Sequence, residues 1–307
     1  MTKLSFFFAT NVVPEEKIKR ILTQIGQRGA FPIEPLPGGI TNQNYRVGNV
    51  VIRIYDPGSK RLGIDREHER VCATTAAGLG IAPQVIAFLP SEHALVTQYI
   101  SGTTLTPETI RQPDIFPRVV KSIQCCHTGP LFPGRFSPFE TVRNYHRLAT
   151  KHRVSFPDNI GEVLLLLAEI EDTLHSVEET RPCHNDLLSG NFLDDGEKIW
   201  ILDWEYAGMG DPFFDLGNFS ANQELDESQC QTLLSLYFGN LRSIDMAHLY
   251  FMRLASDLRE AFWGFLQIGI SSLDFDYREY AQKHLDRFLR NAATPQLTRW
   301  LAEVKSG

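Results

Sequence analysis

The sequence predicts an α+β chain in two lobes, a small antiparallel sheet with a helix and then a larger, mainly helical lobe. Three observations carry this. The chain has 307 residues, more than one core usually holds. Residues 32–55 and 82–100 have the period and turn punctuation of short strands. From about residue 105 onward apolar residues recur at helical spacing, apart from one segment at 182–217. The N-terminal lobe is therefore placed at 1–100 and the C-terminal lobe at 101–307, divided before the polar run Ser101-Gly102-Thr103-Thr104.

Residues 14–28 read as an amphipathic helix, with Pro14 at its start, Glu15 and Glu16 in the first turn, and Ile18, Ile21, Leu22 and Ile25 at helical spacing. A strand at Ile33 to Leu36 leads into Pro37-Gly38-Gly39-Ile40-Thr41-Asn42. Gly38 and Gly39 let backbone approach a phosphate, and Thr41 and Asn42 add side-chain donors. Taken alone, the loop also reads as an ordinary glycine hairpin. The strand Val50 to Tyr55 carries a cation, Arg53, between Ile52 and Ile54. Such a cation needs a carboxylate, and the predicted helix at 62–79 offers Glu67 and Glu69. Two residues apart on a helix, they point in different directions, so only one can face Arg53. Further helices are predicted at 115–127, 138–151, 160–177, 226–239, 244–270, 274–291 and 295–304.

Composition narrows the function classes. Hydrophobic content of 43% and charged content of 22% describe a globular chain without a disorder signal. A net charge of −7 and the lack of any Lys/Arg run argue against a nucleic-acid partner. The five cysteines form no Cys-x-x-Cys pair, so neither a disulfide framework nor a zinc site is expected. The apolar run at 4–9 is too short for a signal peptide, and no run approaches a membrane span. A cytoplasmic protein without membrane insertion is the expectation; the oligomeric state is left open.

The chemistry is concentrated in 182–217. Asp186 follows His184 by two residues, Asn191 follows Asp186 by five, and Asp203 closes the apolar run Ile199-Trp200-Ile201-Leu202. His-x-Asp-x-x-x-x-Asn and then a short strand ending in Asp is the arrangement of a kinase catalytic loop and its metal-binding strand. Phosphoryl transfer needs an acceptor beside the substrate hydroxyl, for which Asp186 is placed. It also needs hard oxygen ligands for Mg²⁺, which Asn191 and Asp203 provide. The bland alternative is a polar turn with Asp and Asn as turn residues. Four groups in order at the required offsets favour the kinase reading, with ATP and Mg²⁺ as cofactors.

With Ile201-Leu202-Asp203-Trp204-Glu205-Tyr206, Asp211-Pro212 and Asp215-Leu216, this stretch resembles the aminoglycoside phosphotransferase and choline kinase superfamily, which has a protein-kinase-like fold. Within it the similarity is greatest to the bacterial choline/ethanolamine kinases, over residues 30 to 285 or so. The resemblance implies Asp186 as catalytic base, Asn191 and Asp203 as magnesium ligands, and Asp215 as a brace of the catalytic loop. It implies that Arg53, paired to Glu69 of Ile-Asp-Arg-x-x-Glu, binds nucleotide phosphates under the Gly38-Gly39 loop. Gln98, Tyr99 and Ile100 become the hinge whose backbone reads adenine. His127 is expected to be a structural histidine at a helix end.

The implied reaction is transfer of the ATP γ-phosphate to a hydroxyl of a small, cationic amino alcohol, choline or ethanolamine. Glu205, Tyr206, Asn222, Glu260 and Trp263 are the candidate acceptor-binding residues. Glu260 and Trp263, three apart on one helix, can share a pocket wall. Choline kinases carry a second tryptophan three residues after the first, and a glutamate where Asn222 aligns; this chain has Leu266 and Asn222. A lost cation–π contact is worth about 0.5–2 kcal/mol. The rival readings are a kinase of the same fold acting on thiamine, an aminoglycoside or another small hydroxyl compound, and a nucleotide-binding pseudokinase. The presence of Asp186, Asn191 and Asp203 together counts against the pseudokinase.

Overall fold

In the computed structural model, the described residues are 14–29, 31–37, 42–174 and 180–306. Five short strands form an antiparallel sheet: β1 (Ile33–Leu36), β2 (Asn42–Val47), β3 (Val50–Tyr55), β4 (Val85–Leu89) and β5 (Ala94–Gln98), in the order β1-β2-β3-β5-β4. Gly48 closes the β2–β3 hairpin at φ 59°, a left-handed conformation that costs glycine little. The strand period of two sends Ile52 and Ile54 of β3 into the sheet's core and leaves Arg53 on the opposite face. Helix α1 (Glu15–Gln24) covers that core with Ile18 and Ile21.

Helix α2 (Arg66–Gly78) begins at Asp65, whose side chain accepts from the N–H groups of Glu67 and His68. Its apolar face, Cys72, Ala73, Ala76 and Ala77, joins the core of the helical lobe, not that of the sheet. Glu69 on α2 is therefore held by the large lobe while it faces a strand of the small one.

The remaining chain contains β6 (Thr103–Thr104), α3 (Pro107–Ile110), α4 (Phe116–His127), α5 (Pro138–Lys151), α6 (Ile160–Leu174), β7 (Arg181–Cys183), β8 (Phe192–Asp194), β9 (Ile199–Ile201) and β10 (Gly208–Gly210). After these come α7 (Pro212–Asn222), α8 (Glu227–Phe238), α9 (Ser243–Ile270), α10 (Tyr277–Ala292) and α11 (Pro295–Ser306). The larger lobe is mainly helical, and the whole is a protein-kinase-like two-lobe fold. Two small sheets, β6-β8-β9 and β7-β10, interrupt the helices at the segment carrying the site.

Helix α9 is the axis of the large lobe, buried at every residue from Leu254 to Gln267. It packs on α5, α7 and α10. At Gly217 on α7 an added Cβ would lie 2.7 Å from the Met252 carbonyl carbon, so α7 and α9 meet at backbone distance. That close approach brings the segment from 182 to 217 against α9. Among the described residues no helix is long and apolar enough to cross a membrane.

Candidate active site

The loop after β7 is tied to α7. Both oxygens of Asp215 are used: Oδ2 accepts from the His184 N–H at 2.7 Å and Oδ1 from the Asn185 N–H at 2.6 Å. His127 Nε2 lies 2.9 Å from Asp215 Oδ2 while its Nδ1 meets the Tyr237 hydroxyl at 2.6 Å, so this histidine is part of the brace. Asn218 accepts from the Leu187 N–H at 2.6 Å, and Gln223 donates to the Leu187 carbonyl at 3.2 Å. Leu187 is fully buried and Leu188 half-buried. These contacts hold Asn185 at φ 66°, and its side-chain amide donates to the Tyr206 carbonyl at 3.0 Å.

Four hydrogen bonds then link His184, Asp186, Asn191 and Leu202, the residue before Asp203. Asn191 Nδ2 donates to the Asp186 carbonyl at 2.8 Å, and the Leu202 N–H donates to the Asn191 carbonyl at 2.8 Å. His184 Nε2 donates to the Leu202 carbonyl at 2.9 Å, while its Nδ1 accepts from the Asp186 N–H at 3.2 Å. These two partners assign the His184 proton to Nε2. With Nδ2 of Asn191 committed, its Oδ1 is the atom available to a cation.

Asp203 sits at φ 68°, and its Oδ1 accepts from Arg53 Nη1 at 2.6 Å. The same nitrogen donates to Glu69 Oε1 at 2.9 Å. Burial acts to lower the Arg53 pKa, but the carboxylates of Asp203, Glu69 and Glu205 outweigh it and hold the guanidinium above its ordinary range. Glu67 is exposed and pairs with Arg70.

A second arginine, Arg66, joins this cluster. Its Nη1 donates to Glu69 Oε2 at 2.7 Å and to Glu205 Oε2 at 2.9 Å, and its guanidinium stacks 4.4 Å from the Tyr55 ring centre. Asn42 Nδ2 donates to Glu205 Oε2 at 3.0 Å. Two expectations are corrected here. Glu205, grouped by sequence with the acceptor residues, lies with Asn42, Arg66 and Glu69. Asn42, expected as a phosphate donor, has its amide engaged by Glu205. Trp204 packs its ring into the large core, while its sequence neighbours Asp203 and Glu205 face the other way, toward Arg53 and Arg66. Burial, with the Asp203 carboxylate close by, pushes the Glu205 carboxyl up to about 7.

On the other side of the loop, Asp186 Oδ1 accepts from Arg259 Nη1 at 2.8 Å. Arg259 also donates to Glu260 Oε1, and its guanidinium lies 4.4 Å from the Tyr206 ring centre. Glu260 Oε2 accepts from the Tyr280 hydroxyl at 2.5 Å. Burial acts to raise the Asp186 pKa and wins, although the Arg259 charge opposes it. Burial acts on Glu260 in the same direction, but Arg259, His284 and Tyr280 prevail and lower it. Trp263 packs edge-on against Tyr277 and Tyr280, with ring centres 5.8 and 5.5 Å apart. Asn222, at the end of α7, has a buried Nδ2 without a partner.

In the segment expected to form the hinge, the Gln98 N–H donates to the Gln84 carbonyl and the Tyr99 N–H to the Asn49 carbonyl, both at 2.8 Å. Of the three hinge amides, the Ile100 N–H is the one without a partner among the described residues. Gly38, Gly39 and Thr41 lie outside the described residues.

Arg66 and Arg259 were not read as site residues. Arg66 was legible in Ile-Asp-Arg-x-x-Glu, three residues before Glu69. Arg259 had a signal too, a charged pair inside the apolar stretch Leu258-Arg259-Glu260-Ala261-Phe262-Trp263.

The fold is protein-kinase-like, and the chain is a phosphotransferase that uses an alcohol group as acceptor. A profile of choline/ethanolamine kinases matches residues 33–233, and the chain belongs to that family. The probable ethanolamine kinase A of Dictyostelium discoideum is 28% identical over 297 residues, covering 83% of this chain and 84% of that protein. The crystal structure of a choline/ethanolamine kinase family protein from Mesorhizobium loti matches with a TM-score of 0.83 at 30% identity, covering 95% of this chain and 100% of that one. An ADP-bound aminoglycoside phosphotransferase, 15% identical, shares the fold with a TM-score of 0.64 over 91% of this chain and 98% of its own.

Proposed function

We propose that this chain transfers the γ-phosphate of ATP to the hydroxyl of choline or ethanolamine, with Asp186 as the base. The observation that carries the reading is the hydrogen-bonded run from Asp186 through Asn191 to Leu202, which delivers Asp203 beside Arg53. The donor set suits magnesium. The cluster sets the carboxylates of Asp203, Glu69 and Glu205 against the two guanidiniums of Arg53 and Arg66, and burial together with Asp203 pushes Glu205 up to about 7, so a hard cation would stabilise its ionised form. Asn191 and Asp203 would hold it. When bound, magnesium neutralises charge on the phosphates.

The chain's own residues divide the remaining work. Arg53 offers donors to phosphate oxygens. The Ile100 N–H, left without a partner among the described residues, would be the hinge donor to an adenine edge. Asp186 accepts the hydroxyl proton as the oxygen attacks. Glu260 supplies negative charge, and Trp263, Tyr277 and Tyr280 supply aromatic faces, which together suit an ammonium. The relatives named ethanolamine kinase, and the family match, support an amino alcohol as acceptor.

The test is ATP turnover with Mg²⁺ against choline, ethanolamine, thiamine and kanamycin in parallel, with Asp186→Ala as the blank. Selective turnover of choline or ethanolamine, lost in the blank, is expected. Turnover of thiamine or kanamycin alone would move the acceptor to another class. Activity surviving in Asp186→Ala would remove Asp186 as the base.

A further inference from the structure

The acceptor side of the site contains a cation of its own. Arg259 is 2% exposed, projects from the most deeply buried part of α9, and touches Asp186, Glu260 and the Tyr206 ring. Its Nη1 is shared between the carboxylates of Asp186 and Glu260. Glu260's other oxygen is held by Tyr280 of α10.

We propose that Arg259 is a positioning residue for the transfer. It fixes which oxygen of Asp186 meets the acceptor hydroxyl and links that carboxylate to Glu260. The inference rests on the reading of Asp186 as the base.

The geometry gives the reason. Asp186 has two carboxylate oxygens, and Arg259 occupies Oδ1 at 2.8 Å. Oδ2 has no hydrogen-bond partner among the described residues and is not among the sealed, unpartnered atoms, so it is the oxygen left open to the cleft. A carboxylate free to rotate would present either oxygen in several orientations; one pinned by a guanidinium presents a single one. The pin is itself rigid. Stacking on Tyr206 fixes the plane of the fork, and the Tyr280 hydroxyl fixes Glu260 on its far side. Through Glu260 the guanidinium thereby ties the negative charge that attracts the acceptor's ammonium to the carboxylate that meets its hydroxyl. Recognition of the acceptor's cation and placement of its hydroxyl become one rigid unit. Misplacing a reacting group by about an ångström costs up to roughly 100-fold in rate.

The test compares Arg259→Gln, Arg259→Lys, Glu260→Gln and the double variant Arg259→Gln/Glu260→Gln by steady-state kinetics. Arg259→Gln should lower kcat by roughly 10- to 100-fold while the KM for ATP stays within about twofold. Arg259→Lys, which keeps the charge but not the fork, should recover part of the loss. The double variant should cost clearly less than the product of the two single losses, as residues acting as one unit require. Should Arg259→Gln not fold, Arg259→Lys carries the test through a lowered kcat at an unchanged melting temperature. A folded variant with near wild-type kcat, a loss confined to the KM for ATP, or fully multiplicative losses would overturn the inference. If Asp186→Ala also retains activity, the base assignment has failed; if Asp186→Ala is dead, only the role of Arg259 has.

Discussion

Arg53 Nη1 donates to Asp203 Oδ1 at 2.6 Å, so a strand of the sheet lobe is bonded directly to the residue that ends the apolar run of the helical lobe. Glu69 receives the same nitrogen from α2, whose apolar face belongs to the large core. The cleft is therefore pinned on both sides of one guanidinium. Replacing Arg53 with Ala should raise the KM for ATP roughly 10- to 100-fold, from about 1.5–3 kcal/mol for charge-assisted bonds, with the acceptor KM little changed. Unaltered nucleotide affinity and rate would take Arg53 out of the site.

Glu205 gives a pH dependence of stability. Its folded-state pKa, pushed up to about 7, lies above the unfolded value of 4.5, so the folded protein keeps a proton that the unfolded chain has released. This contribution is fully present below about 4.5 and is lost as pH rises through about 7. In the metal-free protein the melting temperature should fall across that window, and Glu205→Gln should flatten the fall. Identical profiles for the two proteins would show that Glu205 is not the group responsible.

Asp215 accepts from two backbone N–H groups and His127 while 1% exposed. Asp215→Ala leaves buried donors without partners and should cost about 3–5 kcal/mol, a melting-temperature drop of roughly 5–15 °C. Turnover should fall with it, because His184 and Asn185 lead directly into Asp186. A drop of only a degree or two, with normal turnover, would contradict the brace.

Trp263→Ala should raise the acceptor KM by up to about 30-fold, as loss of one cation–π contact allows, and leave the KM for ATP unchanged. The effect should be larger for choline than for ethanolamine. A methylated ammonium has no N–H to donate and depends on ring faces; a primary one can turn to oxygen acceptors. Equal, small effects on both would assign Trp263 to the core.

Leu266 is fully buried on α9. Leu266→Trp should therefore not create a second acceptor-facing ring. It should destabilise the fold by about 1–3 kcal/mol through overpacking, read as a lower midpoint in urea without tighter choline binding. Tighter binding at unchanged stability would place position 266 in the pocket.

The elements whose signals are local were legible in the sequence. Helices α4, α5 and α10 follow the apolar spacing to within a few residues, because each buries one face, and α9 does so although it is buried all round from Leu254 to Gln267. The spacing of Asp186, Asn191 and Asp203 stands out in the sequence for a similar reason: loop offsets are short-range, and the chemistry proposed for them limits which residues can stand there. Glu205 and Arg259 needed the tertiary structure. Glu205 meets Arg66 across the fold while Trp204 packs into the core, and α7 and α9 approach at Gly217 to bring α9 beside the loop after β7. The partner of a buried charge is chosen by packing between distant segments, 73 residues apart for Asp186 and Arg259. No period or spacing along the chain encodes that choice. The sequence by itself determined the two-lobe architecture and the order and spacing of Asp186, Asn191 and Asp203; the tertiary structure decided which charges neutralise one another around them.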